Sequence, residues 1–149
     1  MKSRIHVVMN APFERIFDLA ADIERWPERL PHYRYVRRVP AADGERRFAM
    51  GARRGPIPVR WEAVQTPIPD ERRIEFVHTG GVTRGMWVAW RFQPLGDEAI
   101  DVSIEHHLDL GWPLIGNFAA ERVIGPQFVE AIAGRTLRRV KALAEGGEA

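Results

Sequence analysis

An α+β architecture, with a seven-stranded antiparallel sheet packed on one long C-terminal helix, is predicted by three features of this sequence. From about Asn117 to Glu145 apolar residues recur at helical spacing: Val129, Ile132, Ala133, Thr136, Leu137, Val140, Leu143 and Ala144 fall on one face, and Glu130, Arg135, Arg138, Lys141 and Glu145 on the other. From Tyr33 to Leu110 the period changes to two and is broken at intervals by turn residues. Between the first strand and that region lie two short helical patterns. The C-terminal stripe is small in its middle, at Ala133 and Thr136, and so suits close approach to a broad apolar surface. In this chain that surface is a sheet.

Taken in order, Ile5 to Met9 reads as a first strand, and the run Val7-Val8-Met9 predicts cover on both faces. Pro12 opens a helix at a position where its missing N–H costs nothing, with Phe13, Ile16, Phe17, Leu19, Ala20 and Ile23 as its apolar side. Asp22 is placed to cap a short helical turn containing Trp26-Pro27 and ending at Leu30-Pro31. Six strands follow, near Tyr33 to Ala41, Arg46 to Arg54, Val59 to Thr66, Arg72 to Thr79, Arg84 to Pro94 and Ala99 to Leu110, with breaks that include Gly55-Pro56 and Gly80-Gly81. The last alternates best: Ile100, Val102, Ile104, His106, Leu108 and Leu110 share the face that meets the helix. Trp61 with Ala63, Ile74 with Phe76, and Val88 with Trp90 and Phe92 point inward by the same logic. Gly125-Pro126 marks a kink or helix start. Arg138, Arg139 and Lys141 suit the negative end of the helix dipole, and Gly146-Gly147 ends the helix near Glu145.

At 149 residues and 45% hydrophobic content, a single domain spanning residues 1–149 is expected. The absence of cysteine excludes disulfides, thiolate metal sites and a thiol nucleophile. Met1 to Met9 lacks the long apolar core of a signal peptide, and no apolar run approaches the roughly 20 residues of a membrane span. A cytoplasmic location is the expectation. The basic residues are nearly all arginine, yet the formal net charge is only +2, and no nucleic-acid-binding module accompanies them, so nucleic acid is not expected as a partner.

Strand, two short helices, six antiparallel strands and a long helix is the order of the helix-grip fold, in which a curved sheet wraps round the last helix. The run Val8-Met9-Asn10-Ala11-Pro12-Phe13-Glu14-Arg15-Ile16-Phe17-Asp18, with Asp22-Ile23-Glu24-Arg25-Trp26-Pro27-Glu28, resembles the opening of the polyketide cyclase/dehydrase branch of the START-like (SRPBCC) superfamily. Trp61-Glu62, Trp90-Arg91-Phe92 and Leu137-Arg138-Arg139-Val140-Lys141 extend the likeness along the chain. The resemblance implies a ligand cavity between sheet and helix. Trp61, Phe76, Met86, Trp90 and Phe128, with Tyr33 and Trp26 near one mouth, either line such a chamber or fill one another's space as core.

Polar candidates are few. His106 interrupts the most regular apolar face and reads as a cavity residue, against the alternative of a satisfied core histidine. His78, beside Gly80-Gly81, reads as a solvated rim position. Arg122 falls in phase with Phe118 and Val129 only if the helix is continuous, which would aim a cation at the cavity; otherwise it lies on the surface. No metal-ligand motif is present, since His106 and His107 point to opposite faces of one strand, and no cofactor is expected. Two functions fit. The first is binding or transport of a hydrophobic small molecule such as a lipid, isoprenoid, quinone or polyketide. The second, which the resemblance implies, is an aromatase/cyclase or dehydratase acting on a poly-β-ketone, with Tyr33, Gln65 and His106 as proton shuttle and oxyanion donors. Cyclases of the family carry an important arginine two residues beyond the Gln65 position. This sequence has Pro67 there, and binding is the preferred expectation.

Overall fold

The computed structural model describes residues 2–81, 83–108 and 126–146, with side chains from residue 129 onward in the last stretch. Strands β1 (Lys2–Met9), β2 (Tyr33–Arg38), β3 (Arg46–Arg54), β4 (Ile57–Ile68), β5 (Arg73–Gly81), β6 (Trp87–Gly96) and β7 (Ala99–His107) form one antiparallel sheet. Between β1 and β2 lie α1 (Phe13–Ala21), a 3₁₀ turn (Ile23–Arg25) and α2 (Trp26–Arg29); α3 (Pro126–Ala144) is the C-terminal helix. The spatial order β1-β7-β6-β5-β4-β3-β2 is a meander with one transfer. The α1–α2 excursion carries the chain from one edge of the curved sheet to the other, and β7 returns to pair with β1 from Lys2 opposite His107 to Met9 opposite Ile100.

The predicted helix face is the buried one. Val129, Ala133, Thr136, Leu137, Val140, Leu143 and Ala144 are buried, Ile132 is half-buried and packs on the same core, and Arg135 and Arg138 are exposed. Polar links fasten α3 to β1 along its length: Ser3 Oγ donates to Glu130 Oε2 at 2.7 Å, and Lys141 Nζ donates to the Val8 carbonyl at 3.0 Å. The helix C-terminus takes its cation mainly from another element. Arg15 on α1 donates from Nε to the Ala144 carbonyl and from Nη2 to the Leu143 carbonyl, both at 2.8 Å, satisfying carbonyls that the last turn leaves free. Lys141 is the basic residue of that last turn, whereas Arg139 reaches away to the Arg29 carbonyl.

Several local expectations are corrected. Val8 is 39% exposed, since β1 is an edge strand and its outer face has no covering layer among the described residues. The Asp22 side chain makes no capping hydrogen bond; its carboxylate lies 3.9 Å from Arg29 instead. β2 ends at Arg38, and β6 begins at Trp87 because Arg84 to Met86 form the turn. The Gly80-Gly81 pair does not break β5. Gly80 and Gly81 pair with Glu62 and Trp61, and Gly81 at φ 94° fits where a Cβ would sit 2.7 Å from the Arg60 carbonyl oxygen.

Candidate functional site

Alternation along β3 to β7 turns one set of side chains toward α3, and the helix supplies its small residues opposite them. The result is a cavity of about 90 Å³. From the sheet it is lined by Met50, Val59, Trp61, Phe76, His78, Val88, Trp90, Ile104 and His106, with Thr83 from the β5–β6 turn. Trp26 and Tyr33 close it on the α2–β2 side, and Val129, Ile132, Ala133 and Thr136 come from α3. None of these described lining residues carries a formal charge at neutral pH.

Aromatic rings make the walls continuous. Tyr33 packs edge-on to Trp26 at 4.9 Å and to Trp61 at 6.0 Å, and Trp26 lies 6.0 Å from Trp90. The Trp26 indole is fixed by its Nε1–H donating to the Leu19 carbonyl at 3.0 Å. Trp61 is stacked on His78 with ring planes 2° apart and centroids at 5.8 Å. Such pairs contribute beyond the area they bury, and each ring restricts its neighbour.

Three buried histidines, with the hydroxyls of Tyr33, Thr83 and Thr136, provide polar points in or beside this cavity. His106 sits opposite Ser3 on β1 and Val88 on β6, is 6% exposed, and its Nδ1 is buried without a hydrogen-bond partner. Burial, with a smaller contribution from His107, lowers its pKa to about 4. His78 is 7% exposed; burial and then His106 lower it to about 3, and its Nδ1 is 2.7 Å from Thr83 Oγ1. Both imidazoles are neutral at pH 7. His32 lies just behind the lining. Thr136 Oγ1 donates to the Ile132 carbonyl at 2.9 Å, so the same oxygen accepts from His32 Nε2 at 2.9 Å. Nε2 therefore carries the proton, and Nδ1 is a bare acceptor with no partner. Burial, then Arg135 and to a lesser degree Arg138, lower His32 to about 4. Burial also raises the Tyr33 phenol, which stays protonated as a donor beside Thr136.

Of the residues singled out in the sequence, Trp26, Tyr33, Trp61, Phe76, Trp90 and His106 border this cavity together. Gln65 does not. Its amide is used elsewhere: Nε2 donates to the Ala21 carbonyl at 2.9 Å and Oε1 accepts from Arg46 Nε at 3.0 Å, clamping the end of α1 to β3 and β4. Met86 is buried but off the lining, held in its turn by backbone bonds to Thr83 and His78. Phe118, Arg122 and the side chain of Phe128 lie outside the described residues. Pro67 sits within β4 opposite Ile74. His78 corrects its reading as a solvated rim residue: because β5 runs on to Gly81, it is in the strand's interior and under Trp61. Thr83, Met50 and Val59 were not anticipated. Met50 and Val59 were legible in principle, since they share the inward face with Phe48 and Ala52 on β3 and with Trp61 on β4. Among the described residues no group of three or more His, Cys, Asp or Glu is placed to hold a metal ion, and no helix is long and apolar enough to cross a membrane.

Comparison with known proteins agrees with this architecture. The chain is 24% identical over 120 residues to the ribosome association toxin RatA of Pseudomonas aeruginosa, covering 80% of this chain and 79% of that protein. The Zhui aromatase/cyclase of Streptomyces sp. R1128 superposes with a TM-score of 0.77 at 18% identity, over 99% of each chain. A START superfamily protein from Mycobacterium smegmatis gives 0.72 at 16% identity, over 95% of this chain and 98% of that one. At these identities the structural likenesses establish the helix-grip fold alone. Residues 9–132 match the sequence pattern of one family across most of the chain, and the protein accordingly belongs to the polyketide cyclase / dehydrase and lipid transport family.

Proposed function

We propose that this protein binds or carries a hydrophobic small molecule bearing a carbonyl or hydroxyl group, held between the sheet and α3. The observation that carries this reading is the composition of the described lining: apolar and aromatic walls with neutral His78 and His106 as its imidazoles, and no formal charge. Such a chamber favours an uncharged ligand, and a few placed polar groups orient it. A lipid, isoprenoid, quinone or polyketide meets that description. The space of about 90 Å³ is far below the roughly 300 Å³ or more of drug-sized sites. Uptake therefore displaces lining side chains, and half-buried Trp61 and Ile132 have the most room to give way. Denaturing extraction of the purified protein, with mass spectrometry of what is released, tests the reading. A retained apolar molecule is expected; an empty protein that also fails to bind apolar dyes at micromolar concentration refutes it.

His106→Leu is expected to leave stability at pH 7 unchanged or raised, because it removes a buried atom that lacks a partner. Binding of a ligand with a carbonyl or hydroxyl should fall about two- to tenfold, the worth of one net hydrogen bond. Its pH dependence follows from the lowered pKa. The unfolded chain takes up a proton near pH 6.5 while folded His106 resists until about pH 4, so its contribution is complete above pH 6.5 and is lost as pH falls toward 4. Within that window the variant should lose less stability, by about 1.4 kcal/mol per pH unit at most. Equal pH profiles, measured by thermal melts, would count against a proton-excluding His106.

An aromatase/cyclase reading is favoured by one observation: a protonated phenol, Tyr33, and a neutral imidazole, His106, border the same cavity. Deprotonation next to a carbonyl by His106 and donation to the developing oxyanion by Tyr33 are its chemistry. Against it stand Pro67, which has neither a side-chain donor nor an N–H, and Gln65, whose amide is already bonded. Reconstitution with a minimal polyketide synthase separates the two: an unchanged product distribution is expected, and a shift to one defined first-ring cyclisation would favour catalysis.

A further inference from the structure

We propose that the β3–β4 end of the sheet docks on an anionic lipid bilayer, through an apolar tip set among arginines, and that the cavity beside it exchanges its ligand there. The charge of the chain is strongly uneven. Residues 33–60 carry eight arginines against only Asp43 and Glu45, a formal +6, which leaves the remainder of the +2 chain at −4. Glu45 is spent on Arg47 at 2.7 Å, and Glu62, the next carboxylate along β4, also engages Arg47 at 3.3 Å. Of the eight arginines, Arg34, next to Tyr33 opposite Ala52, and Arg53 and Arg60 beside the β3–β4 turn are exposed, with no carboxylate at ion-pair distance among the described residues, whereas Arg37, Arg38, Arg46 and Arg47 lie toward the other end of β2 and β3.

The tip adds an apolar element to this field. Gly55-Pro56 is a two-residue turn joining Arg54 to its partner Ile57, with Gly55 at φ 58°, the positive φ that tight hairpins ask of glycine at that place. The turn holds Ile57 out at 50% exposure, one of the few large apolar side chains so placed among the described residues, with Arg53 and Arg54 before it and Arg60 after it. The β5–β6 turn lies against the same end, since Gly81 abuts the Arg60 carbonyl, and it presents exposed Arg84. An isolated apolar group ringed by cations matches a bilayer of anionic lipid, where phosphates meet the guanidiniums and the side chain enters the headgroup region. A nucleic acid would satisfy the arginines but has no use for Ile57. Position links the surface to the cavity: Val59 and Trp61, the next inward residues along β4 from Ile57, line it, and Thr83 lines it from the neighbouring turn.

Exchange of a ligand rests on the binding reading above, whereas docking does not, and the experiment measures them separately. Partition of the full chain is measured on phosphatidylcholine vesicles with and without phosphatidylglycerol, at low and high salt, alongside binding of an apolar dye to the free protein. Partition is expected only with the anionic lipid, and its loss in high salt is expected too. Arg53→Gln with Arg60→Gln should lower it about 25-fold, at about fivefold per arginine, and Ile57→Ser about fivefold, with thermal midpoints and dye binding unchanged. Equal partition on both vesicle types, no partition at all, or partition that the three substitutions leave unaltered overturns the proposal. Binding to an RNA homopolymer through Arg53 and Arg60, without vesicle binding, overturns it in favour of nucleic acid. Vesicle binding without dye binding upholds docking and removes the carrier reading instead.

Discussion

Val140→Asp is expected to destabilise the fold by about 3 to 5 kcal/mol, and Arg138→Asp, two residues away, by less than about 1 kcal/mol. Val140 is fully buried in the core where α3 meets the sheet, and the neighbouring Lys141 reaches the Val8 carbonyl of β1. A carboxylate placed there either stays charged without a partner or binds a proton at the expense of folding, and both routes cost several kcal/mol. Arg138 is exposed and folds back over Gly134, so its replacement removes no core contact. Denaturant midpoints of the two variants check the assignment. Equal midpoints would mean that the buried face of the helix has been misassigned.

The helix and the sheet were legible because each is a repeated signal. Eight positions on one side of the C-terminal segment agree on a period of 3.6, and one such stripe, small at Ala133 and Thr136, admits few partners other than a sheet. The β7 strand repeats Ile100, Val102, Ile104 and His106 on one face, and all four are buried. The site was legible only where it inherits that periodicity: Trp61, Phe76, Trp90 and His106 border the cavity because inward positions of neighbouring strands converge. What failed depends on contacts between residues distant in sequence. Gln65 has the right phase for a cavity, but nothing local reveals that Ala21 and Arg46 take both ends of its amide. His78 was misread because a glycine pair usually ends a strand, whereas here the β4 partner comes close enough at Gly81 to need glycine within the pairing. His32 belongs to no periodic pattern. Its bond to Thr136 spans 104 residues, and only the folded chain brings α2, β2 and α3 together around it.

Ala133→Leu is expected to abolish ligand binding, by about a hundredfold or more, while raising the stability of the ligand-free protein by about 1 kcal/mol. Ala133 is 8% exposed, faces the cavity from the middle of α3, and is where the stripe is narrowest. Leucine adds three carbon atoms, which at about 0.8 kcal/mol each give an upper bound of about 2.4 kcal/mol for filling the void. Strain against Trp90, Ile104 or Val88 across a space of only about 90 Å³ takes back part of that. The same filling that stabilises the empty chain must be undone before a ligand enters, so the gain in stability and the loss in affinity have one cause. Ala142→Leu, on an exposed turn of the same helix, controls for helix propensity and should change neither quantity by much. Thermal melts and titration with an apolar dye measure both. A stabilised Ala133→Leu protein that still binds the dye with unchanged affinity would place the ligand outside the sheet–helix cavity and remove the physical basis of the carrier reading.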